Sequence, residues 1–374
     1  MQHLNRRQWL KTGGLASAMA FLAGPSVLAR TSQPAFSPRP ILPGQPVRLS
    51  ANENPYGPSD RVRRAIQDSF DMACRYPSGY VRELRDMIAE KEGVAKECVV
   101  ITGGSTEGLK ITGMIYGQSN REIIAADPTF QALLRYAEQF GTYVHRVPLN
   151  DKLEHDLDAM YQRITGRTGL IFLCNPNNPT GTLLEADAVR DFCESAAKHT
   201  LVFSDEAYYD YIDRPDYPSM VELVKRGENV IVSRTFSKVY GMAGIRIGYL
   251  VARPDIADRL KEKVVAFTNT PALFAARTAL QDQEFYQFSI EKNKEAKSRI
   301  YAALDDLGLE YVPSQTNFVF FKTGQHIDDF GAAMREQGVL VGRPFPPYFD
   351  WCRISTGSLE EVDQFTAAVK KVMG

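Results

Sequence analysis

Cysteine is scarce and scattered in this chain. The five present, Cys74, Cys98, Cys174, Cys193 and Cys352, are odd in number and show no C-x-x-C pair or Cys/His ligand spacing, so neither a disulfide framework nor a zinc site is indicated. The five histidines are dispersed too, which leaves no basis for metal-centred chemistry. A surplus of charge is also missing. Lys+Arg number 44 against Asp+Glu 45, so there is no electrostatic case for nucleic acid or an anionic membrane as partner. No repeat, no long low-complexity tract and no G-x-G-x-x-G run occurs, and the last absence argues against a nicotinamide enzyme. What remains is an ordinary globular composition, 44% hydrophobic over 374 residues, long enough for one large domain with a core and a smaller second one.

The chain is organised around residues 229–250, NVIVSRTFSKVYGMAGIRIGYL. Val230, Ile231 and Val232 read as a buried strand, and Ile245, Ile247 and Tyr249 as a second, alternating one. Between them Thr235, Ser237, Lys238 and Arg246 sit among Gly241 and Gly244, so hydroxyls and cations can converge on one anion, with phosphate the natural guest. Upstream, a strand at residues 98–102 runs into GGSTEG and a helix beginning at Glu107, which is a strand-to-helix anion cradle. Strand-like runs at 122–126, 142–148, 169–174, 201–204, 230–233 and 245–252 alternate with helical ones. This is the pattern of an α/β domain with a mostly parallel sheet of about seven strands, whose sites lie at the carboxyl ends of the strands. The runs DPTF at Asp127, NPNNPTG at Asn175 and DEAY at Asp205 follow three of these strands, although each alone reads equally well as an ordinary turn. Beyond about Thr270 come helices with charged faces, such as 285–307, and strands at 317–321 and 351–355, read as a smaller α+β domain.

The first residues have a different character. Arg6 and Arg7 precede Trp9, Leu10 and Lys11, a small and apolar run follows, and Ala29 offers a cleavage point. The pattern resembles a twin-arginine (Tat) export signal rather than a spanning helix; the alternative is a basic terminus ahead of an amphipathic helix, which Gly13, Gly14 and Gly24 oppose. Export of an already folded protein to the periplasm is compatible with unpaired cysteines. The expected boundaries are a signal at 1–29, an N-terminal arm joining the small domain at 30–65, a large cofactor-binding domain at 66–270 and a small domain at 271–374.

Taken jointly and in order, PTF, NPNNPTG, DEAY, SK and the later arginine resemble the pyridoxal-phosphate (PLP) aminotransferases of fold type I, in the branch that includes histidinol-phosphate aminotransferase. The resemblance covers nearly all of the chain after the leader. It implies that Lys238 forms the Schiff base with the cofactor aldehyde and that Thr235, Ser237, Arg246 and the N–H groups of Ser105 and Thr106 hold the cofactor phosphate. It further implies that Asp205 faces the pyridine nitrogen, Tyr208 and Asn178 the ring oxygen, and Phe130 a ring face. Tyr76, in an RYP run, would reach the phosphate of the other subunit in a homodimer with shared sites. Asn54, in NENPYGP, and Asn317, in TNF, would border the substrate, and Arg353, in CRIS, would clamp its carboxylate, a planar anion suited to a bidentate guanidinium.

The implied activity is amino transfer between an L-amino acid, or a histidinol phosphate-like amine, and a 2-oxo acid, with Lys238, Asp205 and Tyr208 as the catalytic groups and no metal. Such motifs fix the cofactor more firmly than the reaction, so a lyase, cyclase, racemase or decarboxylase of the same fold is the alternative. A non-catalytic PLP-binding protein would need a DNA-binding module, and no basic leader domain of that size is present. Arg343 stands where a second anion-binding arginine is expected, but the PFPPYF run after it is shorter and more aromatic than a histidinol-phosphate site leads one to expect. This and the export leader favour an aromatic or other bulky donor, with 2-oxoglutarate as acceptor.

Overall fold

The computed structural model describes residues 36–38, 45–118 and 120–374; the expected export signal at 1–29 and the start of the expected arm lie outside these. The chain divides into residues 1–37 and a compact unit, Pro38–Gly374, to which everything below refers. Its strands are β1 (Val47–Arg48), β2 (Val99–Thr102), β3 (Glu122–Asp127), β4 (Tyr143–Pro148), β5 (Thr168–Cys174), β6 (Leu201–Asp205), β7 (Val230–Thr235), β8 (Gly248–Ala252), β9 (Tyr311–Val312), β10 (Phe318–Lys322), β11 (Val339–Leu340) and β12 (Trp351–Ser355).

Seven strands form the main sheet in the order β2-β8-β7-β6-β5-β3-β4, and only β8 runs against the rest. The central strands are apolar almost without interruption because helices cover both faces. Their period of two sorts alternate residues to opposite sides: Ile171, Leu173, Val202, Val230 and Val232 enter one core, and Leu170, Phe172, Phe203 and Ile231 the other. Carried to the strand ends, the same alternation puts Cys174, Asp205 and Thr235 on the second face and Arg234 on the first.

Two sequence-derived boundaries shift. The strand expected from Ile245 begins at Gly248, because Arg246 holds a left-handed backbone with φ 63° that no strand accommodates. The helix expected from Glu107 begins at Ser105 and runs Ser105–Gly117, so the cradle has two more residues at its helical end.

A second core lies under the antiparallel sheet β12-β10-β9, where Val319, Phe321, Cys352 and Ile354 meet Ile300, Phe330 and Phe365 from the helices Gln283–Asp306, Ile327–Glu336 and Leu359–Met373. Strand β1 pairs with β11, and Val47 and Leu49 enter this same core, so the segment that carries Asn52 and Asn54 is tied to the C-terminal part. Ser59 then caps the next helix, Asp60–Asp68, through Val62 N–H at 3.2 Å. Among the described residues no helix is long and apolar enough to cross a membrane.

Beneath the ends of β6 and β7, Arg234 and Glu206 form an ion pair at 2.7 Å with side chains only 7% and 4% exposed. Glu206 also accepts from Ser219 Oγ and Met220 N–H, each at 2.8 Å, which offsets its desolvation. Replacing Arg234 by Met strands a buried carboxylate. Urea denaturation of Arg234→Met is expected to show a loss of about 3–5 kcal/mol, most of it recovered in the double variant Arg234→Met/Glu206→Gln.

Candidate active site

The carboxyl ends of β5, β6 and β7, the turn after β2 and the two arginines of the C-terminal part enclose a cavity of about 290 Å³. Twelve of the sequence-derived residues line it: Ser105, Thr106, Phe130, Asn178, Asp205, Tyr208, Thr235, Ser237, Lys238, Arg246, Arg343 and Arg353. The charges are unbalanced, with Lys238, Arg246, Arg343 and Arg353 facing a single carboxylate, Asp205. Such a cavity attracts ligands that carry more than one negative group.

One end is built for a tetrahedral anion. The helix Ser105–Gly117 opens on Gly104 with no side chain capping it, and while the Glu107 N–H bonds the Gly104 carbonyl, those of Ser105 and Thr106 are left for a ligand. Gly104 has φ 91°, and a Cβ there would collide with the Arg246 guanidinium. Arg246 in turn donates to the Ala243 carbonyl at 2.8 Å and approaches Ser237 Oγ at 3.4 Å, while Thr235 Oγ1 accepts from Ser237 N–H at 3.1 Å.

Opposite lies Asp205, 2% exposed, whose Oδ1 is sealed from water with no hydrogen-bond partner. Burial pushes its carboxyl up to about 7 against the opposing pull of the Ala207 N–H and the Lys238 charge. An orphaned carboxylate oxygen in a cavity with an anion cradle at its other end fits a flat heterocycle with an N–H at one edge and a phosphate on an arm, as PLP is.

Lys238 is half-buried by accessible surface because the cavity opens onto it, yet its amine lies deep among protein groups. That depth, followed by the Arg353 charge, pushes the amine down to about 8. Its Nζ donates to the Asn52 carbonyl at 2.9 Å and lies 5.3 Å from the centre of the Tyr208 ring. Arg353, 8% exposed, forms no ion pair among the described residues. It donates to Asn178 Oδ1 at 2.6 Å and the Ser50 carbonyl at 2.8 Å, and its guanidinium stands 4.9 Å from the centre of the Phe345 ring. Burial pushes it down to about 10.

Three sequence-derived residues do not line the cavity. Asn54 turns away to donate to the Val239 carbonyl and Ser289 Oγ, bracing the segment rather than bordering a ligand. Asn317 is 1% exposed and directed at the Glu53 carbonyl, 3.4 Å away. Tyr76 is 87% exposed and packs on Phe267 with ring centroids 6.0 Å apart, away from the cavity of its own chain. Conversely, Asn52, Thr129, Cys174 and Phe345 line the cavity and were not singled out. Nothing local separates Asn52 from Asn54 in LSANENPYGP; only the folded backbone decides which faces inward.

With this geometry the chain's kinship becomes legible. Residues 45–369 match the family of aminotransferase class I and II, and the chain belongs to that family. A histidinol-phosphate aminotransferase of Halalkalibacterium halodurans is 39% identical over 330 residues, 87% of this chain and 89% of that protein. That of Moorella thermoacetica is 36% identical over 355 residues, 90% of this chain and 92% of it. The crystal structure of histidinol-phosphate aminotransferase from Sinorhizobium meliloti in complex with pyridoxal-5'-phosphate superimposes with a TM-score of 0.80 at 27% identity, covering 88% of this chain and 91% of that one.

The Asp205 geometry has a consequence for stability. Between the usual carboxyl value of 3.8 and the folded value of about 7, the folded cofactor-free protein keeps a proton that the unfolded chain has released. Its stability therefore falls as pH rises through that window. Thermal melts of cofactor-free protein from pH 4 to 7 are expected to show this decline, and Asp205→Asn to lack that part of it.

Proposed function

We infer that this chain is a PLP-dependent aminotransferase, and the observation that carries the reading is the partnerless buried Asp205 Oδ1 set across one cavity from Lys238 and the anion cradle. Arg246, Ser237, Thr235 and the N-terminus of the helix at Ser105 and Thr106 would hold the cofactor phosphate. Asp205, ionised once a protonated ring nitrogen stands against it, would keep that proton in place, and Phe130 would cover a ring face. Bound PLP supplies an electron sink for the pair released at the substrate α-carbon. Lys238 Nζ, with its affinity for protons already lowered by burial, would take the proton from the substrate α-carbon and deliver it to the cofactor carbon that bore the aldehyde. Arg353, without a carboxylate of its own, grips the anionic end of donor and acceptor, and Arg343 stands beside it on the cavity wall. The amino donor is an L-amino acid or a histidinol phosphate-like amine, the acceptor a 2-oxo acid; Phe130 and Phe345 give the walls an apolar surface suited to an aromatic or bulky donor.

The face carrying Tyr76 and Phe267, the latter 63% exposed, together with Val265 at 84%, is more apolar than a lone surface needs. A second copy of the chain covering it would bring Tyr76 to the partner's cofactor phosphate. The residues at Arg6 and Arg7 support export by the twin-arginine route. Changing both to lysine is expected to hold active enzyme in the cytoplasm, and unchanged periplasmic activity after fractionation would count against export.

The function is tested by mixing PLP-loaded enzyme with single amino donors, histidinol phosphate among them, with no acceptor present. Conversion of the bound cofactor's absorbance, reversed by 2-oxoglutarate, is expected. Released carbon dioxide or a racemised donor without that conversion would move the assignment to the decarboxylases or racemases. Lys238→Ala is expected to fold and bind the cofactor but to slow the conversion by at least about 10³-fold.

A further inference from the structure

Asn52 is 2% exposed, holds a left-handed backbone at φ 54° and makes four contacts that meet at the site. Its carbonyl accepts from Lys238 Nζ at 2.9 Å, and its Nδ2 donates to Tyr208 OH at 2.9 Å. Its own N–H donates to Ser355 Oγ at 2.8 Å, and Ser355 Oγ donates back to Asn52 Oδ1 at 2.9 Å. Ser355 lies two residues beyond Arg353 on β12, so this contact links the strand of the substrate arginine to the lysine and tyrosine.

The donor and acceptor roles in this cluster agree with one another. Ser355 Oγ receives the Asn52 N–H and gives its own hydrogen to Oδ1, an arrangement that turns the amide nitrogen toward Tyr208. Asn178 is oriented just as firmly, because its Oδ1 faces the Arg353 guanidinium, a pure donor, which leaves Asn178 Nδ2 facing Tyr208 OH at 3.4 Å. Two amides therefore donate to one phenol oxygen and fill both of its lone pairs. The Tyr208 hydrogen has no partner left among them and is free for the cavity. The remaining charged and titratable groups facing Tyr208 and Lys238 are Asp205, Cys174, Arg246, Arg353 and Glu53.

We propose that Asn52 is a positioning residue for the amino transfer: its side chain turns the Tyr208 proton into the cavity toward an acceptor oxygen of the bound cofactor, and its carbonyl fixes the free Lys238 amine beside it. This rests on the reading of the cavity as a PLP site. A left-handed backbone is open to glycine, so Asn52→Gly removes the side chain while keeping the turn and the carbonyl. Ser355→Ala leaves residue 52 intact and frees its amide to flip.

The test uses PLP-loaded wild type, Asn52→Gly, Ser355→Ala, Tyr208→Phe and the double variant Asn52→Gly/Tyr208→Phe, without substrate. The readout is the pH midpoint of the bound cofactor's absorbance, which a proton donated to the cofactor oxygen holds down. Asn52→Gly is expected to raise the midpoint by about one unit, the equivalent of one hydrogen bond, and Ser355→Ala to raise it by less. Tyr208→Phe should raise it at least as far as Asn52→Gly, and the double variant no further than Tyr208→Phe alone, because the amide acts through the phenol. An unmoved midpoint in Asn52→Gly, or an additive shift in the double variant, overturns the proposal; a purely structural role would lower the melting temperature without moving the midpoint. Borohydride reduction and peptide mapping of wild type separates the two levels. Cofactor fixed to Lys238 with an unmoved midpoint defeats the role of Asn52 alone, whereas cofactor fixed elsewhere defeats the reading of the site.

Discussion

Charge imbalance in a confined space is the constraint on which the site depends. Lys238, Arg246, Arg343 and Arg353 share one cavity with a single carboxylate, and the most buried of these three guanidinium groups, Arg353, has only the neutral acceptors Asn178 and Ser50. A charge held in this way is costly to desolvate and is relieved by an incoming anion. The protein tolerates the cost because an aromatic ring, Phe345, faces the Arg353 guanidinium, and because burial lowers the hold of the Lys238 amine on its proton. Ligands with a phosphate at one end and a carboxylate at the other resolve both ends at once.

The scaffold serves this arrangement through the alternation of its strands. Because Asp205 and Thr235 share one face of β6 and β7, the neighbouring Glu206 and Arg234 are left on the opposite face, where they neutralise each other instead of reaching the ligand. The left-handed turn at Arg246 ends the loop after Lys238 and bends that guanidinium back over Gly104, so cradle and lysine loop close on each other. Linking β1 to β11 then carries Asn52 from the chain's beginning to a position between β12 and Lys238.

Much of this was legible in the sequence where chemistry and local pattern coincide. The strands β5, β6 and β7 are short apolar runs ending in turn motifs, and the residues of those motifs, Asn178, Asp205, Tyr208 and Lys238, do line one cavity. Legibility failed where a backbone dihedral or a distant partner decides the outcome. Arg246 at positive φ ends what alternation reads as continuous strand, and Asn52 differs from Asn54 only through contacts with Ser355, Tyr208 and Lys238, far along the chain. Asn317 sits in a motif at the edge of the site but is drawn inward to the Glu53 carbonyl.

The central claim is that the unpartnered Asp205 oxygen exists to hold a proton on the ring nitrogen of bound PLP. Nitrogen NMR of enzyme loaded with ring-¹⁵N-labelled cofactor reads that proton directly. The account predicts a protonated ring nitrogen in wild type across neutral pH and an unprotonated one in Asp205→Asn. The same nitrogen shift in both proteins would contradict it.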